Sequence, residues 1–382
     1  MATVQQAHSA RYMPVTRVGA LPLYLITLLP VLGWGLGGGL WYWLTPFVLL
    51  VIAPLLDQFI GEDARNVPPE AARGYEQNLW YRISLWLFFP LQVAVMLLCY
   101  DLASSGRLSG LEVTGIVISN AIAVGIGGTL AHELCHRASR FDRFMGVMVF
   151  SACGMANFLV YHVYGHHNLV ASPEDPGSAK FGERFWNFTW RNIYGKWKLS
   201  WRIEAERLRR LGLQPAHPRN LMLWLTALDI AWFAGLAWYF GWIALVMFPL
   251  QYAVIRLLLS VGDYLEHYGL ARRRTADGEY EKPRPVHAWD DGYVVSSLLL
   301  CVVNRHADHH ANEARPFQTL RYCEEAPRYP HGNLVMMYCA FIPPLWRRIV
   351  HPVVLEFYRR GEVVPHALPG WLPPDLEPDA VH

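Results

Sequence analysis

Nine of the sixteen histidines fall into four clusters, and each cluster follows a long apolar run. They read His132-Glu-Leu-Cys-His136, His162-Val-Tyr-Gly-His166-His167, Glu266-His267-Tyr-Gly and His306-Ala-Asp-His309-His310. Imidazole suits the first-row transition metals. One ion takes roughly four to six ligands, so nine imidazoles predict a two-metal centre. Side chains four apart on a helix share a face, with Cβ atoms about 5–6 Å apart. His132 and His136 can therefore grip one ion, as can His162 and His166. The adjacent His167 points about 100° away and can reach a second ion. His306, His309 and His310 repeat this pattern, and Glu266-His267 adds a carboxylate and an imidazole. The role of Glu266 (bridge, ligand or orienting group) is open at this point. H-E-L-C-H also matches the H-E-x-x-H zinc-protease pattern, with Glu133 as general base. Such a site needs one further ligand, not seven more histidines. Glu133 and Asp308 read instead as carboxylates that orient ring N–H groups. Glu174 and Asp175 either do the same or simply form a turn at 173–177. A nearly all-histidine, two-metal site beside a membrane fits O2 chemistry on a lipid-soluble substrate, with iron as the metal.

The elements that must position these clusters are membrane helices. The chain has 382 residues, is 53% apolar and carries 16 Trp, 19 Tyr and 17 Phe. A spanning helix needs roughly 20 mostly apolar residues. Six stretches qualify: 20–36, 40–60, 81–100, 111–131, 221–240 and 242–261. They pair into three hairpins, turning at Gly37-Gly38-Gly39, Ser104-Ser105-Gly106 and Gly241. The first twenty residues are polar, with Arg11 and Arg17, and no A-x-A cleavage site follows, so the first run reads as a retained helix. With the N-terminus inside, Arg107 alone among the 33 Lys and Arg lies in an outer turn, and Arg82 and Arg256 sit in the outer residues of their helices. This is a positive-inside pattern, and it places all four histidine clusters on the cytoplasmic side. Phe144–Val160 is apolar and nearly long enough to span. Spanning would separate His132 and His136 from His162, His166 and His167, so this run reads as a re-entrant or buried helix. Val294–Val303 and Leu334–Leu345 are too short to span and read as the floor of a cytoplasmic cap.

The expected fold is thus an all-α integral membrane protein of six transmembrane helices with a cytoplasmic histidine-rich cap. It forms one domain: a cytoplasmic segment 1–19, membrane helices within 20–262 interrupted by a cytoplasmic insertion at 132–220, and a cap and tail at 263–382. Its location is the inner (plasma) membrane, with both termini and the metal site cytoplasmic. A net charge of +2 makes no case for nucleic acid. The six cysteines form no C-x-x-C pair and read as packing thiols. Trp186, Trp190, Trp197 and Trp201 share one helical face, with Arg191, Lys196, Lys198 and Arg202 around them. That face reads as a headgroup-level interface helix or as a docking face for an acidic protein. The tail after Gly361 is Pro-rich and acidic and reads as irregular.

The residues also resemble the membrane alkane 1-monooxygenase family. The similar segments are His132–Arg137, His162–Pro176 with its Ser-Pro-Glu-Asp-Pro, Asp263-Tyr-Leu-Glu-His-Tyr-Gly-Leu270, Asn304-Arg-His-Ala-Asp-His-His-Ala311 and Ile342-Pro-Pro-Leu-Trp346. The chain departs from the family's usual residues at Arg137 (Lys), Asp263 (Asn), Asn304 (apolar or Gln) and Tyr161 (Glu). The resemblance implies hydroxylation of a terminal alkane methyl group with O2 as co-substrate. Two non-haem irons are then held by His132, His136, His162, His166, His167, His267, His306, His309 and His310. It implies a hydrophobic substrate entering from the lipid, with Trp34, Trp41, Trp43 and Phe47 as candidates for setting chain length, although lipid- or core-facing aromatics are common at such positions. The one G-x-G-x-x-G spacing, Gly33 to Gly38, sits at the turn after the first apolar run rather than in the strand–loop–helix unit of a dinucleotide fingerprint, and there is no four-cysteine iron site, so electrons must come from a partner. The resemblance names rubredoxin and its NAD(P)H-dependent reductase, and Arg207, Arg209 and Arg210 are candidates for docking such a donor. Competing readings are a xylene- or cymene-type methyl hydroxylase, a fatty-acyl desaturase or hydroxylase, and a metal transporter. A transporter would place its ligands near mid-membrane rather than at helix ends.

Overall fold

Two apolar helices end in histidine, and local signals set where each begins. Ser109 and Glu112 form a reciprocal capping box, each side chain accepting the other residue's backbone N–H. The helical run Gly110–His136 follows. Its neighbour starts at Gly241, whose φ of 64° permits the sharp turn between Leu221–Phe240 and Trp242–His267. One polar contact holds the two in register. Asn120 Nδ2 donates to Gln251 Oε1 at 2.7 Å, and Gln251 Nε2 donates to the Ala152 carbonyl at 2.9 Å. All of this is buried, so sliding either helix by one residue would leave amides unpaired at a cost of about 1–3 kcal/mol each.

The computed structural model describes residues 19–376. The polar segment carrying Arg11 and Arg17, and residues 377–382 of the tail, lie outside them. Among the described residues five helical runs are long and apolar enough to cross a membrane: Gly39–Ile60, Leu79–Ser104, Gly110–His136, Leu221–Phe240 and Trp242–His267. The first expected span, 20–36, is instead two seven-residue helices, Leu21–Thr27 and Leu29–Gly35. Pro22 and Pro30 each sit in a first helical turn, where a missing N–H costs little. Pro30 is also what interrupts a continuous helix. Backbone bonds from Leu28 to Tyr24 and from Leu32 to Leu28 still bridge the joint.

Residues 144–160 form no helix of spanning length. Arg140–Ser151 is followed by turns and the short helix Phe158–Tyr161, which returns the chain to the histidine end. Gly146 makes this possible: a Cβ there would lie 2.9 Å from the Ala131 carbonyl and 3.1 Å from Cys135 Sγ. The helix Arg140–Ser151 therefore packs directly on the one that carries His132 and His136.

The remaining short helices make the cap. Val294–Leu299 is tied to the end of the Gly39–Ile60 run by Asp57, which accepts from the Ser296 amide at 2.9 Å and the Ser296 hydroxyl at 2.6 Å. Asn333–Phe341 and Pro343–Arg359 are separated at Ile342, ahead of the two prolines that end the first and start the second. The tail is not wholly irregular, because Val364–Pro365 pairs antiparallel with Leu270–Ala271. We expect Gly146→Val to lower the thermal unfolding midpoint, a cost of about 1–3 kcal/mol from overpacking. Gly235→Ala, where a Cβ meets nothing within 4 Å, should leave the midpoint unchanged or higher.

Candidate metal centre

The nine histidines converge as two groups. His132, His136, His162, His167 and His309 form one, and His166, His267, His306 and His310 the other, with the candidate ligand atoms within 4.8 Å of one another in each. All nine are buried except the half-buried His136. Backbone geometry sorts them. His132 and His136 occupy the final turns of their helix, with ring centroids 4.9 Å apart. Residues 162–166 form a π-turn. In an α-helix, side chains five apart diverge by about 140°, whereas the wider π-turn returns the fifth residue over the first. His167 Nε2 accordingly lies 3.0 Å from His162 Nε2, and His166 is released to the other group. The helix His306–Ala311 makes the second division. His306 and His310 share a face, their Nε2 atoms 2.9 Å apart, while His309 turns to His167 at 3.1 Å. Each His-His dipeptide thus straddles both groups. His267, the last residue of its helix, completes the second group with Nε2 3.1 Å from His306 Nε2.

These spacings suit metal ions. Two nitrogens at right angles, each about 2.1 Å from one ion, lie about 3 Å apart. His132 Nε2 and His136 Nε2 are buried with no hydrogen-bond partner, a cost that an ion would remove. Three rings are held from the far side through Nδ1. His166 Nδ1 donates to Asp175 Oδ2 at 2.9 Å, His306 Nδ1 lies 3.2 Å from the Val303 carbonyl, and His167 Nδ1 lies 3.5 Å from Glu313 Oε2. Such contacts fix the tautomer and turn Nε2 inward. Burial opposes charge on Asp175, but His166 beside it, the Ser178 hydroxyl and the Gly177 amide bring its carboxyl down to about 2. Burial first, and crowding by neighbouring rings second, push His162, His167, His309 and His310 well below the ordinary imidazole range and His306 to about 3. Neutral imidazole is the form that binds a metal.

The carboxylates divide differently from the sequence expectation. Glu133 does not orient a ring; it pairs with Arg137 at 2.6 Å, one helical turn away. Asp308 likewise turns from the histidines, binding Arg315 at 2.6 Å, Asn312 at 2.9 Å and the Arg321 amide at 2.9 Å, which shapes the loop after the last cluster. Glu174 faces outward to Arg274 at 2.7 Å. Of these four acids, Asp175 is the one that meets a histidine ring. Glu266 Oε2 lies 3.3 Å from His306 Nε2, on the cavity side. The structure also shows what the sequence did not. Cys301 and Val302 adopt left-handed backbone, φ 53° and 61°, costing about 1–3 kcal/mol each, just ahead of Arg305 and His306. Buried Arg305 then anchors the segment to the Leu320 carbonyl at 3.0 Å and the Asp63 carbonyl at 2.8 Å.

An apolar cavity of about 190 Å³ meets the histidines. Ile122, Gly125, Ile126 and Thr129 line it from one helix and Leu258, Leu259 and Gly262 from the other, with His132, His162, His166, Glu266 and His306 at its polar end. None of the four suggested chain-length residues is part of this lining. Trp34, Trp41 and Phe47 are about half exposed on the outside of the helices, and Trp43 donates to the Leu111 carbonyl at 3.2 Å. From their segment, Leu49 and Leu50 line the cavity instead. Arg209 and Arg210 are exposed at the end of the helix Phe185–Arg210, and Arg207 is paired with Glu204 at 2.8 Å. On the same helix Trp186, Trp190 and Trp197 form an exposed row, but Lys196 is buried rather than beside them.

Because the groups are separate, His309→Ala should lower bound metal from the five-histidine group while leaving the other near full occupancy, read as metal per chain with two release phases. pH adds a signed expectation. The unfolded chain's histidines take up protons near pH 6.5, whereas in the folded chain His162, His167, His306, His309 and His310 resist to well below that. Stability and metal retention are therefore full above about pH 6.5 and fall as pH drops through it, which metal content and the unfolding midpoint at about pH 7.5 and pH 5 would show.

The fatty acid desaturase family profile matches residues 110–352, enclosing all four histidine segments. Alkane 1-monooxygenase 2 of Pseudomonas aeruginosa is 34% identical over 356 residues, covering 89% of this chain and 93% of that protein. The alkane 1-monooxygenase of Acinetobacter baylyi is 35% identical over 349 residues, 91% of this chain and 84% of that protein. The xylene/toluene monooxygenase hydroxylase component XylM of Pseudomonas putida is 29% identical over 323 residues, 82% of each. With likeness of this extent joined to two buried histidine groups at the end of an apolar cavity, the chain belongs to the alkane 1-monooxygenase family and is an oxidoreductase of the monooxygenase type.

Proposed function

We propose that this protein hydroxylates the terminal methyl of medium- or long-chain n-alkanes, by the balance RH + O2 + 2e⁻ + 2H⁺ → ROH + H2O. The observation that carries this is the convergence of nine imidazoles, as five and four, on the polar end of an apolar cavity. Two non-haem irons held there would supply the activation of O2. Glu266, 3.3 Å from His306 Nε2, would add a carboxylate to the four-histidine set, as a ligand or as an orienting group. The other side chains do simpler work. The helix walls bind an unbranched chain without polar competition, and Thr129 and Glu266 mark where the apolar lining ends. Asp175 and the Val303 carbonyl hold two rings in place.

The remaining readings are part of the same proposal. The chain acts as one inner-membrane domain with its broken 20–36 run as a sixth membrane segment, its six segments pairing as three hairpins, and its histidine end and both termini cytoplasmic. Basic residues dominate the loops on that side, which supports this orientation. Electrons come from rubredoxin and its NAD(P)H-dependent reductase. The exposed Arg209 and Arg210 offer a surface to an acidic donor, so turnover should weaken with salt.

The test is purification, iron measured per chain, and assay of octane, hexadecane and p-xylene with rubredoxin, reductase and NADH. Two irons and a primary alcohol from an alkane are expected; product from p-xylene alone would move the reading to aromatic methyl groups. One zinc and no oxygen-dependent product would overturn it. Ile122 lines the cavity ten residues before His132, about 15 Å along the helix axis. Ile122→Trp should therefore shift the product mixture toward the alcohols of shorter alkanes, with turnover of the preferred short substrate retained.

A further inference from the structure

The oxygen of Asp175 that does not take His166 accepts the Tyr161 hydroxyl at 3.0 Å. The face of the Tyr161 ring carries Lys196 Nζ, 4.7 Å from the centroid. Lys196 arises from the helix Phe185–Arg210, yet its side chain is only 5% exposed. Its ammonium pairs with Asp263, whose same oxygen accepts Asn192 Nδ2 at 2.8 Å. Asp263 lines the apolar cavity together with His166 and Glu266. A buried ammonium is costly, and its pairing with a carboxylate rarely recovers more than that cost. The pair therefore makes a poor stabilising device, and its location one contact from the Tyr161–Asp175–His166 chain points to another role.

We propose that Lys196 is a positioning residue for hydroxylation: clamped by Asp263, which Asn192 holds in turn, its ammonium faces the Tyr161 ring and holds the hydrogen-bond chain that aims His166 within the four-histidine group. This rests on reading the nine histidines as a two-iron centre. A cation against an aromatic face is attracted to it by about 0.5–2 kcal/mol, enough to select one ring orientation. It also draws density from the phenol and strengthens its O–H as a donor to Asp175. Asp175, held at one oxygen by that hydroxyl, keeps its other oxygen on the His166 N–H, so the cation helps fix that ring. The effect belongs to one metal site, because Tyr161 and Asp175 reach His166 and no ring of the five-histidine group among the hydrogen bonds of the described residues.

The experiment uses the full, iron-loaded chain. Four variants are compared: Tyr161→Phe, the double variant K196M/D263N that leaves no unpaired buried charge, the combination of these, and Lys196→Arg, which keeps the cation. Iron content and alkane hydroxylation by the unaltered chain test the two-iron reading separately. For the variants, the readouts are release of iron to a chelator and the Mössbauer signature of each iron. Tyr161→Phe and K196M/D263N should each release one of the two irons about 10-fold faster, the scale of a lost orienting contact, and alter one signature of two. Combining them should add little, since both act through one hydroxyl, and Lys196→Arg should stay near the original rates. Original release rates and spectra in Tyr161→Phe, equal effects on both irons, or fully additive effects would overturn the proposal. If K196M/D263N does not fold, Tyr161→Phe and Lys196→Arg decide it.

Discussion

Nine imidazoles packed against one another, largely out of water, is the constraint on which this structure depends. Any proton added there would meet both a low-dielectric surrounding and the neighbouring rings. With no ion, buried nitrogens such as His132 Nε2 and His136 Nε2 lack partners. The cluster is thus costly alone and favourable when a metal takes the inward lone pairs, which couples metal binding to folding. The supporting elements are expensive in the same way: left-handed Cys301 and Val302, the buried guanidinium of Arg305, and the π-turn at 162–166. They gather just where ligand direction must be set.

The helices solve a different problem, that of bringing an apolar chain to a polar site. Gly110–His136 is the most enclosed of the candidate spans and Leu221–Phe240 the least. The enclosed helix and Trp242–His267 face each other across the cavity, locked by Asn120 and Gln251, and both end in histidines of the two groups. One register therefore decides the cavity wall and the height of His132, His136 and His267 together. Exposed aromatics such as Trp238 and Phe59 lie outside this arrangement.

Two positions where the chain departs from the residues usual in the resembled family, Tyr161 and Asp263, meet at one ammonium, that of Lys196. In a linear reading they stand about a hundred residues apart and look unrelated. Lys196 itself, between exposed Trp190 and Trp197, reads as one more cation on an amphipathic face. Its burial depends on a side-chain direction that spacing alone does not define, because the 26-residue helix it belongs to is covered on one side and open on the other.

The sequence by itself determined the identity of the nine histidines, the apolar runs that deliver them, and the requirement that 144–160 not separate them. Each of these follows from composition and period, which are local. It could not decide which histidine joins which group. An α-helical reading pairs His162 with His166, whereas the π-turn pairs it with His167. Nor could it show that Asp175 would meet a ring while Glu133 and Asp308 would meet arginines, or that Leu49 and Leu50 rather than the nearby tryptophans would line the cavity. It also counted 20–36 as one helix, where Pro30 makes two. Those outcomes depend on long-range packing and on where backbone turns are wound tighter or wider than ideal. Only the tertiary structure sets them, because a few tens of degrees in side-chain direction decide which ion a nitrogen can reach.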